Sequence, residues 1–161
     1  MRRLVLLLIA VLALAPAASA DVTITKASIR AYLLKDPQVA KRVKETIREG
    51  GEGAGIDRLV YGDLTGDGVP DVVVPIFSGG TAGDIAYYVL STQGGKLHAI
   101  QRENSEYKVG TKIIGGKLQV TRPLYSGADP NCCPSHLEIT LYRYDGHRLV
   151  LASQKRVRWN G

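Results

Sequence analysis

Residues 63–76 read DLTGDGVPDVVVPI, a turn-rich stretch that leads directly into a strand-forming run. Residues 72–76 are apolar throughout, as expected of a strand that is covered on both faces. Pro75 cannot donate a hydrogen bond to a neighbouring strand, so it indicates a bulge or a sheet edge at that point. The obvious cover for one face of this strand is a helix from earlier in the chain.

Turn-forming residue pairs divide the rest of the chain into strands. The pairs 94–95 and 115–116 are Gly-Gly and the pair 145–146 is Asp-Gly, and each lies between two β-rich runs. Such pairs adopt the positive φ that a two-residue hairpin turn requires. With the loop over 63–71, they predict about eight strands, at 57–62, 71–77, 84–92, 96–102, 108–114, 117–124, 136–144 and 147–158. We therefore expect a mainly antiparallel sheet that is curled or partly barrel-like.

The segment before residue 55 is predicted to be helical. Asp36 can cap a helix with its carboxylate and Pro37 suits the first helical position. Two glycines at 50–51 end this helix, and a shorter helix is expected at 28–35. Apolar residues recur every four positions and form one stripe toward a core: Val39, Val43 and Ile47. The predicted fold class is therefore α+β, with a short N-terminal helical layer on the sheet.

Alternation within the strand HLEITLYRY (136–144) predicts which face is buried. Successive strand residues point to opposite sides of a sheet. One side therefore carries Leu137, Ile139 and Leu141, and the other carries Glu138, Thr140, Tyr142 and Tyr144. The pattern favours the leucine and isoleucine side as the core face. The tyrosines would then lie outside, where they could offer a sugar-binding surface.

The first twenty residues have the pattern of an export signal. Arg2 and Arg3 precede an apolar run over 4–15, and Ala18-Ser19-Ala20 matches a cleavage site. The apolar run falls short of the roughly 20 residues that a membrane-spanning helix needs. We therefore predict cleavage near Ala20, a single domain over 21–161, and a secreted or cell-wall-associated location with no span left after cleavage.

The charge of the chain narrows the class of partner. The formal net charge is +6, without a clustered basic and aromatic motif. Nucleic acid is not expected to be the partner of an exported chain of this composition. An acidic envelope polymer, anionic lipid headgroups or another envelope protein are the partners that a basic excess leaves open.

The stretch DLTGDGVPD has the spacing of a calcium loop. Calcium binds six to eight oxygens, and compact loops supply them from alternate positions around a glycine that turns the chain. Here the candidate ligands are Asp63, Thr65, Asp67, the carbonyl of Val69, and Asp71. The alternative is a hairpin turn in which the carboxylates accept backbone N–H groups. Calcium is therefore a predicted cofactor of this loop, with the plain turn left open.

Two adjacent cysteines form the second unusual stretch, DPNCCPSH (129–136). Cys132 and Cys133 have no other intramolecular partner in an oxidising compartment. Neighbouring Cα atoms stand about 3.8 Å apart, below the usual disulfide range of about 4.4–6.8 Å, so a vicinal bridge would be strained and more easily reduced. An intermolecular bridge and free thiols are the alternatives to a vicinal bridge. A vicinal bridge could have a redox or ligand-contacting role, and a rigid cap on the loop is the alternative to that role.

The loop SGGTAGD (78–84) is the best sequence candidate for a ligand contact. Its glycines expose N–H groups that could hold an anion, and the residues concerned are Ser78, Gly79, Gly80, Thr81 and Asp84. A simple turn is the alternative. No catalytic residues are predicted, because the chain shows no nucleophile motif and no metal-binding histidine pair.

Taken together, these motifs favour an exported, non-catalytic binding or structural domain, stabilised by calcium if the loop binds it. The alternative is a secreted hydrolase or redox-active protein that acts on an envelope component.

Three stretches carry a resemblance to a known family: YGDLTGDGVPDVVV, DPNCCPS and YRYDGHRL. Together they resemble the LppP/LprE family of small bacterial envelope lipoproteins, over about 56–159. The loop at 63–71 also resembles the calcium loops of FG-GAP and VCBS repeats. The resemblance implies an envelope protein and no catalytic residues. This chain departs from a lipoprotein pattern because no cysteine near Ala20 could accept a lipid.

Overall fold

The computed structural model describes residues 24–50, 53–93 and 95–160. The predicted signal peptide and its cleavage site lie outside the described residues. Within them, two helices and eight strands follow in chain order: α1 (Lys26–Lys35), α2 (Lys41–Glu49), β1 (Val60–Gly62), β2 (Asp71–Phe77), β3 (Asp84–Ser91), β4 (His98–Glu103), β5 (Gly110–Ile114), β6 (Lys117–Leu124), β7 (His136–Tyr144) and β8 (Leu149–Arg158).

Thr25 determines where the first helix begins. Its hydroxyl accepts the N–H of Ser28 at 3.0 Å, and the Ser28 hydroxyl accepts the N–H of Thr25 at 3.0 Å, which forms a reciprocal cap. The predicted helix start at Asp36 is wrong. Asp36 instead ends α1, where its N–H donates to the carbonyl of Tyr32 and its carboxylate accepts the N–H of Gln38.

The prediction of an α+β fold with one curled sheet of about eight strands is wrong. The described strands form two four-stranded antiparallel sheets, β1–β4 and β5–β8, and the protein is mostly β. The connection between β4 and β5 does not make a hairpin. It bonds back to the start of β3, where the N–H groups of Glu106 and Lys108 donate to the carbonyls of Ile85 and Ala82. This detour places β5 in the second sheet.

The strand β2 is covered on both faces, as its apolar sequence predicts. Val72, Val74 and Ile76 belong to a cluster with the two helices. Val73 belongs to a second cluster, which the sheet β5–β8 completes through Leu118, Val120 and Leu149. The helices, the first sheet and the second sheet therefore form three successive layers.

Pro75 lies where β2 can tolerate a missing donor. The strand β1 pairs only with residues 71–73 of β2, so Pro75 stands beyond the end of β1 and pairs with Tyr87 of β3. The predicted local edge is present within an otherwise buried strand.

The predicted core face of β7 is wrong. Thr140 is only 1% exposed, and Tyr142 and Tyr144 pack against the cluster between the two sheets. Leu137 and Ile139 lie on the opposite, outward face and are only half-buried. Tyr142 and Tyr144 are therefore half-buried on the inward side of β7 and do not lie on its outward face.

Candidate functional site

The loop between β6 and β7 is organised around the carboxylate of Asp129. Each of its oxygens accepts two hydrogen bonds: the N–H groups of Ser126 and Ser135 donate to Oδ2, and the two serine hydroxyls donate to Oδ1, all at 2.7 Å. The N–H of Ser126 and the two hydroxyls hold the pKa of Asp129 well below its usual value. Because these bonds join both ends of the loop, Asp129 fixes the loop's shape.

The adjacent cysteines are joined in this loop. Cys132 and Cys133 form a vicinal disulfide, as the sequence predicts. The N–H of Cys133 donates to the carbonyl of Pro130 at 2.9 Å, and Pro134 is buried directly after the bridge. Cys132 itself is exposed. The bridge is therefore part of a tight turn in which Cys132 is the more exposed cysteine.

Asn131 ties the disulfide turn to the neighbouring connection between β4 and β5. Its carbonyl accepts the hydroxyl of Tyr125 at 2.9 Å and also the ammonium of Lys108, while its side-chain oxygen accepts Lys108 at 3.0 Å and the hydroxyl of Tyr107. The same ammonium lies 5.3 and 5.9 Å from the centres of the two tyrosine rings. Two separate segments thus hold the turn in position.

A groove of about 430 Å³ lies beside this turn. Its lining comes from the loop and from the end of β8: Asp129, Cys133, Ser135, His136, Arg158 and Trp159. The N–H of Trp159 donates to the carbonyl of Ser135 at 3.1 Å, which closes the end of the chain onto the loop. The carboxylate of Asp129 remains a negative charge in this lining, but its oxygens already accept four hydrogen bonds, so Arg158 provides the free donors that the groove offers to a ligand.

A second arginine contacts the histidine that lines this groove. The guanidinium of Arg156 lies 3.0 Å from Nδ1 of His136. Arginine can only donate, so Nδ1 is the acceptor in this contact and the ring N–H lies at Nε2. The histidine therefore presents an N–H donor from Nε2, and the groove combines an N–H donor, a guanidinium and an indole ring.

The predicted calcium loop is closed by hydrogen bonds from its own backbone. Asp63 accepts the N–H groups of Gly66 and Gly68 at 2.6 and 3.0 Å, and Asp67 accepts the N–H of Val69 at 2.9 Å. These bonds are the ones that the plain-turn alternative requires.

Asp71 closes the loop from the inside and is only 1% exposed. Its Oδ2 accepts the N–H groups of Leu64 and Thr65 at 2.7 and 2.8 Å, whereas the Thr65 hydroxyl is buried without a partner. Among the residues that the structure describes, no three His, Cys, Asp or Glu side chains converge as a metal site would need. Carboxylate and hydroxyl oxygens suit calcium, but the carboxylates of this loop already accept backbone N–H groups. Calcium binding therefore stays a prediction.

The loop over 78–84 is also closed on itself. The hydroxyl of Ser78 accepts the N–H of Gly80 at 3.2 Å, and the N–H of Gly83 donates to the Gly80 carbonyl at 3.1 Å. Asp84 turns inward and forms an ion pair with Arg58 at 2.6 Å. The predicted anion contact therefore stays a prediction, with three N–H donors of the loop, those of Ser78, Gly80 and Gly83, engaged inside the turn.

Comparison with known proteins finds similarity to bacterial lipoproteins. The chain is 31% identical over 125 residues to lipoprotein CseA of Streptomyces avermitilis, which covers 78% of this chain and 57% of the relative. It is 28% identical over 115 residues to lipoprotein CseA of Streptomyces coelicolor, which covers 71% of this chain and 51% of the relative. The chain thus spans little more than half the length of these relatives.

No family model matches the chain, so the resemblance to the LppP/LprE family and to FG-GAP and VCBS loops stays a prediction. No solved structure matches it either. None of the described helices is long and apolar enough to cross a membrane.

Sequence reasoning located the disulfide but missed the groove beside it. Arg158 and Trp159 are more than twenty positions from the cysteines, and only the pairing of His136 with Arg158 across β7 and β8 brings them together. The available signal was the position of the only tryptophan at the end of a long strand, which by itself does not identify a partner segment.

Proposed function

We propose that the chain is an exported, non-catalytic binding domain at the bacterial cell envelope, and that the groove beside the disulfide turn binds an acidic envelope polymer. The similarity to two proteins named as lipoproteins supports the envelope location. The groove supports the choice of ligand.

The observation that carries the proposal is the pairing of Arg158 with Trp159 at a rigid turn. A guanidinium binds carboxylate or phosphate groups through paired N–H donors, and an indole face provides a flat apolar surface for a sugar ring. Asp129 stays negatively charged, so the anionic group of the ligand must lie against Arg158 and away from the Asp129 carboxylate, whose oxygens already accept hydrogen bonds from Ser126 and Ser135. An acidic saccharide matches both features of the groove.

The sole tryptophan makes this proposal directly measurable. Trp159 lines the groove, so its fluorescence should change when purified teichoic or teichuronic acids are added, and should not change with neutral glucans. We expect Arg158→Gln to weaken the binding about tenfold or more, because a hydrogen bond to a charged group contributes about 1.5–3 kcal/mol.

Arg148→Gln is the matched control. Arg148 is an exposed arginine at the opposite end of the β7–β8 hairpin. Its hydrogen bonds among the described residues come from its backbone, whose N–H donates to the Asp145 carboxylate and whose carbonyl accepts the Asp145 N–H. This variant loses the same charge and should bind like the wild type. Equal weakening in both variants would show a general charge effect, and an unchanged fluorescence with every acidic polymer would refute the groove as the site.

A redox-active protein is the second candidate, because Cys132 is exposed and accessible to a thiol. The two candidates make different predictions. A binding domain should leave a dithiol unoxidised. A redox protein should oxidise one equivalent of a dithiol to its disulfide while the Cys132–Cys133 bridge is reduced to two thiols, and Cys132→Ser should abolish this reaction.

Calcium stabilisation of the loop over 63–71 is a further part of the proposal. The spacing of oxygen-bearing residues in this loop and the unpartnered hydroxyl of Thr65 support it. The experiment that tests it is given in the Discussion.

A further inference from the structure

The sheet β5–β8 has one face against the first sheet and a second face that belongs to neither buried cluster of the described residues. Cross-strand partners lie on the same side of a sheet, so the strand register identifies this outward face. Leu118 pairs with Tyr142 on the inward side, and Gln119 pairs with Leu141 on the outward side.

An apolar stripe runs along the middle of the outward face. Leu137, Ile139 and Leu141 are consecutive outward residues of β7, and Val157 of β8 pairs with Leu137. All four are half-buried. The alternation that predicts a buried face is therefore present in the sequence, but within the described residues the structure leaves that face without a covering layer.

Basic residues surround the stripe. Lys155 pairs with Ile139 from β8, Arg143 extends the same row of β7, and Lys112 and Lys117 lie on the outward side of β5 and β6. All four are exposed, and no ion pair among the described residues involves them.

This face carries no acidic residue. The only Asp or Glu in the strands β5–β8 is Glu138. It lies on the inward side, where it pairs across strands with Arg122 and forms an ion pair with it at 3.7 Å. The outward face therefore offers only positive charge around an apolar centre.

We infer that this basic and apolar face docks on the surface of an anionic lipid bilayer. Lysine and arginine near a membrane surface are attracted to anionic headgroups, and half-exposed aliphatic side chains gain by entering the boundary between headgroups and acyl chains. A hydrated acidic polysaccharide would satisfy the charges but would leave the apolar stripe without a partner, which favours the bilayer. This surface is separate from the groove and does not depend on the function proposed for it.

The test is co-sedimentation of the protein, as recovered after export, with two kinds of vesicle. One contains phosphatidylcholine alone, and the other contains equal parts of phosphatidylcholine and phosphatidylglycerol. The inference predicts binding to the anionic vesicles that weakens as salt is added. The double variant Lys112→Glu and Lys155→Glu should bind the anionic vesicles at least about tenfold more weakly than the wild type does, because two attractive charges become repulsive.

A matched variant with the same change in net charge separates this face from the rest of the surface. Lys41→Glu with Arg48→Glu reverses two exposed charges on α2, in the helical layer on the far side of the first sheet, and should bind anionic vesicles nearly as the wild type does. All variants share one N-terminus, so it cannot produce a difference between them, and thermal unfolding verifies that each is folded.

Three results would overturn the inference. The first is wild-type binding that does not distinguish anionic from neutral vesicles. The second is an equal loss in the strand and helix variants. The third is a dimer in solution that the strand variant dissociates, which would identify a second copy of the chain as the occupant of this face.

Discussion

Replacing Asp71 with alanine tests whether the loop over 63–71 is held by hydrogen bonds in the absence of any ion. The carboxylate is 1% exposed and accepts the N–H groups of Leu64 and Thr65. Alanine would leave both donors without an acceptor in a buried place, at about 1–3 kcal/mol each. Part of this cost is offset because a buried charge is also removed. We expect the free energy of unfolding to fall by about 2–4 kcal/mol.

The assay is urea unfolding in excess EDTA, followed by the fluorescence of Trp159. Asp67→Ala is the internal control, because its exposed carboxylate accepts only the N–H of Val69 and should cost no more than about 1 kcal/mol. If Asp71→Ala unfolds within about 0.5 kcal/mol of the wild type in EDTA, the hydrogen-bond reasoning is wrong. Binding of an ion by the carboxylate would then be the first alternative role to test.

Two further predictions concern charged groups. If the loop over 63–71 binds calcium, calcium at about 100 times its dissociation constant should stabilise the protein by roughly 2.7 kcal/mol. The midpoint of thermal unfolding should then rise in the wild type, and Asp67→Ala should lose most of that rise. An unchanged midpoint in the wild type would contradict calcium binding. Burial opposes the ionisation of Asp36, but the N–H of Gln38 and the guanidinium of Arg102 outweigh it and hold the pKa of Asp36 below its usual value. A lowered pKa stabilises the folded state fully above the unfolded value of about 3.9, and this contribution is lost as the pH falls through the lower folded value. The difference in stability between the wild type and Asp36→Asn should therefore be largest at neutral pH and shrink below pH about 4. A difference that stays constant across this range would show that ionisation of Asp36 does not stabilise the folded state.

Local features of the fold were predictable because each depends on residues that are close in sequence. The pairs 115–116 and 145–146 lie at hairpin turns, where Gly115, Gly116 and Gly146 all have positive φ. The apolar run in β2 correctly indicated a strand buried on both sides. The helical stripe of Val43 and Ile47 is buried as its period indicates.

The errors arose where the result depends on distant segments. An apolar alternation in β7 shows that the strand has two different faces, but it does not show which face meets another layer. Tyr142 and Tyr144 face the first sheet because their large rings fill the space between the sheets, and the shorter Leu137 and Ile139 are left outside. The same holds for the helix boundary, where Asp36 accepts from Arg102, which is 66 residues away, instead of capping a new helix.

The sequence alone determined the turns, the strands between them and the disulfide, because backbone sterics and the proximity of two thiols act over only a few residues. Tertiary structure decided the division into two sheets, the face of β7 that is buried, and the groove that joins His136 to Arg158 and Trp159. These depend on how apolar area is shared among all layers at once. That sharing is a property of the whole packed chain, and no short window of sequence contains it.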